Sequence, residues 1–310
     1  MKNFRIQLLI VALVATASLH AQKNTSDIYI KGAKFTTPLV QKWITEYKKV
    51  NPQVQIKWAD KNADNDAVDL NVQVYNDSLQ SDKQVIYVGR YALLPVAGKN
   101  NSYLAELNKR NLSKKKLKEL FFREDVYEDD VKDSKLANKA TVYSGNSKSA
   151  ATVTFATYFG HNTADIKGKK ISGDDLFLIN AIEKDQTGIT FNSLNYLFNT
   201  DTRKLKDNIA LLPLDVKKEQ RKVLASENID EVIALLENQS VDLIPVQNFG
   251  FLYSSTANRE VQKFISWVLN NGLTQNHSYG FLKPTEDVLA SQRKQIEDNH
   301  YLSSAKTNNF

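Results

Sequence analysis

The chain of 310 residues contains no cysteine. That excludes disulfides, thiolate metal sites and any lipid anchor carried on a cysteine. Histidine is scarce: beyond the N-terminal segment, His161, His277 and His300 fall in no metal-ligand spacing. No Gly-x-Ser-x-Gly elbow is present. A glycine is also missing from the approach to Lys148 that a nucleotide-binding loop would need. Acidic residues that cluster, such as Glu128, Asp129 and Asp130, lie in a solvated charge run. Past the N-terminal segment no apolar run is long enough to cross a bilayer. Internal repeats and low-complexity linkers are lacking too. The expectation is neither an enzyme, nor a metal- or cofactor-dependent protein, nor a membrane-inserted one.

What is present begins with an address. Lys2 and Arg5 precede an apolar run from Leu8 to Ala15, and Leu19-His20-Ala21 follows. This reads as a secretory signal peptide over 1–21, too short for an anchor. The mature protein is expected in the periplasm. Loss of Lys2 and Arg5 lowers the formal charge from +6 to +4. A mild positive balance suits attraction of small anions, and a lysine-rich solvated surface gives the same balance. Lys114-Lys115-Lys116-Leu117-Lys118 sits on an expected helix with its leucines inward. No aromatics interleave with these bases, so nucleic acid is not an expected partner. About 290 mature residues are comfortable for two domains.

Strand and helix patterns alternate along the chain. Asp27 to Lys31 reads as a strand, then a helix runs from Pro38 to Val50, with Thr36 and Thr37 as cap candidates. Val54 to Trp58, Leu70 to Val74 and Val85 to Val96 read as strands. Asp60 to Asp66 is a polar loop, and Arg123 to Lys135 a charged segment. Further strands are expected at Ala140 to Tyr143, Gly188 to Ser193 and Ile209 to Leu214, and helices at Val153 to Phe159 and Asp230 to Leu236. Phe264, Trp267, Val268 and Leu269 mark one face of a late helix, closed by Asn271 and a left-handed Gly272. The fold class is therefore α/β with mixed, mostly parallel sheets.

Two segments have the form of anion sites, where the free N–H groups and positive end of a helix meet an oxyanion. The first is Lys34-Phe35-Thr36-Thr37, ahead of Pro38; an ordinary cap explains it equally well. The second is the loop holding Ser147, Lys148 and Ser149, small hydroxyl residues entering a helix. A polar loop with an N-cap is its plain alternative.

Taken in order, these parts resemble the phosphate-type periplasmic substrate-binding proteins of ABC transporters. Ile30 to Leu39 looks like that family's opening turn and helix, and WITEYKKVNPQVQI its W-x-x-x-Y-x-x-x-N-P-x-V-x-I. Gln84 to Gly98 resembles its first inter-domain strand, Leu112 to Phe121 a following helix, and Phe264 to Pro284 its closing helix and turn. The resemblance implies a type II binding-protein fold of two lobes with hinge strands: 24–89 with 241–310, and 90–240. It implies a monomer that closes on a small anion such as phosphate and delivers it to a permease. It carries Lys34, Phe35, Thr36, Thr37, Ser147, Lys148 and Ser149 into the ligand site, with Asp69 as the candidate buried acid. The sequence departs from the pattern in the ligand loops: Gly145 stands where the family has Arg, and Ala150 and Ala151 replace Gly and Thr. Hence the alternative, an accessory or scaffold protein of the envelope with a decayed site.

Overall fold

The computed structural model describes residues 27–60, 62–64, 67–74, 82–123 and 139–307. The signal-peptide reading and most of the charged segment at 123–135 lie outside them. Among the described residues the strands are β1 (Asp27–Gly32), β2 (Gln55–Trp58), β3 (Leu70–Val74), β4 (Lys83–Gly98), β5 (Thr141–Gly145), β6 (Lys169–Ile171), β7 (Gly188–Ser193), β8 (Ile209–Leu211) and β9 (Val246–Ser254). The helices are α1 (Thr37–Val50), α2 (Leu104–Asn108), α3 (Lys114–Phe121), α4 (Ala150–Tyr158), α5 (Leu176–Lys184), α6 (Leu194–Leu197), α7 (Lys218–Ala225), α8 (Ile229–Asn238), α9 (Arg259–Asn270) and α10 (Glu286–Thr307). The protein is mixed α/β, as the patterning indicates.

The strands run β2-β1-β3-β9-β4-β7-β5-β6, with β8 also on β4. Pairing is parallel on both flanks and antiparallel through the middle. The length of β4 joins the two halves. Its residues 83–92 pair with β9, while 93–97 pair with β7. Val85 and Ile86, then nearly every residue from Tyr91 to Ala97, are buried on it, the continuous apolar run of a strand covered on both faces.

One half gathers both ends of the described chain. α1 buries Leu39, Val40, Trp43, Ile44 and Tyr47, the helical stripe of an amphipathic segment. α9 buries Val261, Phe264, Ile265, Val268 and Leu269, and Asn258 caps it by accepting the Val261 N–H at 3.0 Å. Tyr47 meets Phe264 edge-on, centroids 5.1 Å apart. The indole N–H of Trp43 donates to the Gly272 carbonyl at 2.8 Å. The other half packs Phe121, Phe122, Phe155, Phe159 and Phe191 into an aromatic core.

Two local expectations are corrected. Gly272 is not left-handed; that role falls to Gly280, at φ 78°. A Cβ at 272 would lie 3.0 Å from the Trp43 ring, a tight contact. Neither Thr36 nor Thr37 caps α1 through its side chain. Thr36 has helical dihedrals (φ −88°, ψ −13°) instead of the extended ones a capping side chain needs. A 3-10 turn over Lys34–Thr36 precedes the helix, so the Thr36 hydroxyl bonds back to the Ala33 carbonyl at 2.8 Å.

Candidate functional site

The turn after β1 and the start of α4 face each other across a cleft of about 410 Å³. One wall is Lys31, Gly32 and Ala33 from the end of β1, with Asn71, Gln73 and Val74 from β3. The parallel register sets Lys31 beside Asn71 and Gly32 beside Val72, so these residues lie side by side. The opposite wall is Lys148, Ala150 and Val153. The lining carries two lysines and two amides: Lys31 Nζ donates to the Ala63 carbonyl at 3.1 Å, and Asn71 Nδ2 to Gln73 Oε1 at 3.2 Å. Two further hollows of about 450 and 440 Å³ flank the ends of α1 and α9 and β2, away from this convergence.

Of the residues expected at the site, Lys148 is the one that lines this cleft. It is exposed, and Asn146 Oδ1 holds its backbone N–H at 2.9 Å. Ser147 is exposed in the same loop. Ser149 caps α4, its Oγ accepting the Thr152 N–H at 3.2 Å and donating to Asp175 Oδ1 at 2.9 Å. Lys34 is exposed at the head of the 3-10 turn, Thr37 is half-buried, and Thr36 is fully buried with its hydroxyl spent on Ala33.

Phe35 belongs to the core, against Tyr91, Phe281 and Phe249 at 5.1, 5.9 and 6.1 Å. Its carbonyl accepts from Asn195 Nδ2 at 3.2 Å, and Tyr91 bonds to Thr154 and to the Ala150 carbonyl. These contacts hold the 3-10 turn, β4, α4 and α6 together beneath the cleft. Asp69 sits beside Tyr29, two residues back along β1 from the cleft, and its carboxylate accepts the Tyr29 N–H at 2.8 Å. It ties the approach to β3 onto β1.

No family model matches the chain, and no curated protein does. Solved structures match it in shape. A Clostridium perfringens protein solved with bound phosphate, and described as a phosphate ABC transporter substrate-binding protein, superimposes with a TM-score of 0.58 at 12% identity, over 84% of this chain and 100% of that one. An ABC-type phosphate transport receptor from Vibrio cholerae gives 0.54 at 11% identity, over 84% and 100%. A Planctomyces limnophilus protein assigned to phosphate binding gives 0.50 at 10%, over 88% and 98%. This is the periplasmic-binding-protein fold. The family resemblance in the sequence is borne out at that level.

Within the periplasmic-binding-protein fold, one group at the α4 wall escaped the sequence reading. Burial, then the neighbouring Asp174, push the Asp175 carboxyl up to about 6, against the lowering effect of the Ser149 hydrogen bond. Burial likewise raises Tyr91 and Tyr196, the latter also through its bond to Asp174. Asp174-Asp175 ahead of an apolar helix reads in sequence as a simple cap, and Asp174 does accept the Leu176 N–H at 3.0 Å. Nothing in the sequence brings Asp175 to Ser149. Asn71 and Gln73 were legible as alternate polar positions on one face of β3. Among the described residues there is no metal-binding cluster and no helix long and apolar enough to cross a membrane.

Proposed function

We propose that this protein is an exported, non-catalytic binding protein that captures a small anion, such as phosphate, in the cleft and delivers it to an ABC importer. In this reading 24–89 with 241–310 form one lobe and 90–240 the other. A few residues past these bounds the two passages of the chain are tied together, the Leu93 N–H donating to the Pro245 carbonyl at 2.9 Å. The protein leaves the cytoplasm on the 1–21 signal, works in the periplasm as a monomer and meets a membrane permease. The observation that carries the reading is the cleft itself, with Lys31 on one wall and Lys148 on the other. The phosphate bound in the Clostridium perfringens protein supports an anion as the ligand class.

Isothermal titration with phosphate, sulfate, molybdate and small carboxylates is the test. Lys148→Ala removes one charge-assisted contact and is expected to weaken binding about tenfold or more. Its unfolding midpoint stays put, because the side chain is solvated. Silence from every anion at millimolar concentration, with the protein folded, refutes the reading. One observation favours the second reading, an envelope accessory protein with a decayed site: the hydroxyls of Thr36 and Ser149 are both already bonded inside the protein.

A further inference from the structure

The start of α4 already holds a carboxylate. Ser149 Oγ donates to Asp175 at 2.9 Å while accepting from the Thr152 N–H. Beside it the Thr152 side chain is fully buried, and its Oγ1 has no hydrogen-bond partner. Both hydroxyls face the bare α-carbon of Gly145: a Cβ there would lie 2.7 Å from Ser149 Oγ and 2.8 Å from Thr152 Oγ1. A buried hydroxyl left unbonded is costly and marks a place where a polar partner arrives. The chain neighbours of Ser149, Lys148 and Ala150, line the cleft.

We propose that Asp175 gates this end of the cleft: ionised, it holds the Ser149 hydroxyl and repels an oxyanion, and protonated, it admits one to Ser149, Thr152 and Lys148. The gate rests on the anion-binding reading of the cleft. Other ionisable groups around it are Asp174 on the same turn, Tyr196 on α6 and Tyr91 on β4. The two tyrosines are held above their ordinary range and stay neutral throughout. Burial brings the Asp175 carboxyl to about 6, so the gate turns over in mildly acidic solution.

Sulfate is the probe, because it remains a dianion across this range. If the competent state is the protonated one, apparent affinity scales with its population, and sulfate binds about 30-fold tighter at about pH 5 than at about pH 7.5. Asp175→Asn removes the step and binds sulfate at both pH values as tightly as wild type does in acid. Asp174→Asn keeps the step, which separates the two carboxyls.

By reciprocity, saturating sulfate raises the midpoint of the Asp175 carboxyl in a ¹³C NMR titration of the wild-type protein. This measurement decides the matter even if the Asn variant does not fold. A midpoint that sulfate does not move, or equal sulfate affinity at both pH values in wild type and Asp175→Asn, overturns the gate and leaves anion binding standing. Sulfate silent with both proteins while another anion binds also overturns the gate alone. Silence from every anion overturns both.

Discussion

Asp175→Asn is expected to stabilise the protein at neutral pH and to do little in acid. Asp175 is brought to about 6 from an ordinary 3.8, chiefly by burial. Between those two values the folded protein holds a proton that the unfolded chain has lost. The folded state then binds more protons, so stability falls as pH rises through that window. Below it the two states are equally protonated and the effect vanishes. Above it the full difference applies, about 3 kcal/mol of stability forgone at most. Asparagine carries no charge to desolvate. Urea unfolding of both proteins at several pH values tests this. The advantage of the variant should climb from near zero at about pH 3.5 to roughly 2–3 kcal/mol at about pH 7.5, read as a shift in midpoint with unchanged slope. An advantage that is flat across this range, or a variant less stable at neutral pH, would refute the assignment of Asp175 as a half-buried carboxyl with a raised midpoint.

Trp43→Phe deletes the donor to Gly272 and leaves a void beside Phe251; a loss of about 2–4 kcal/mol in urea unfolding is expected. Phe35→Ala empties the centre of the ring cluster beneath the cleft and should cost about 3–5 kcal/mol by the same measurement. Had Phe35 been a ligand platform, the change would weaken binding and leave stability intact.

The helices and strands were legible because their signals are local and strong. α1 shows its buried stripe in the spacing of Leu39, Trp43, Ile44 and Tyr47. β3 and β7 follow from the alternation of apolar and polar residues in LNVQV and GITFNS. What the local pattern missed has a local cause as well. The 3-10 turn at Lys34–Thr36 puts Thr36 in helical dihedrals, which turns a plausible capping hydroxyl back onto Ala33. Gly272 reads in sequence as the left-handed close of its helix, but what it meets is Trp43, 229 residues away, whose indole donates to its carbonyl and packs tightly over it. Such a constraint is tertiary and leaves no trace in the neighbouring sequence.

Gly145 shows how deeply the departure from the phosphate-type pattern is built in. In the resemblance an arginine belongs there. Here a Cβ at that position would stand 2.4 Å from Ser149 Cβ and within 2.8 Å of both hydroxyl oxygens. A guanidinium cannot be restored by substitution at 145 alone, because the first carbon of the side chain already collides with the cap of α4. The space an arginine would need is taken by Ser149, and Ser149 is fixed there by Asp175 and by the Thr152 N–H. Where that pattern has a cation, this loop holds a carboxylate, Asp175, bonded to the Ser149 hydroxyl. Lys148 is left as the cation on this wall of the cleft, an exposed point charge without the fork that grips two oxygens at once. An anion held by such a wall would be bound more weakly and more sensitively to pH than by a buried arginine, and Asp175 is where that sensitivity resides.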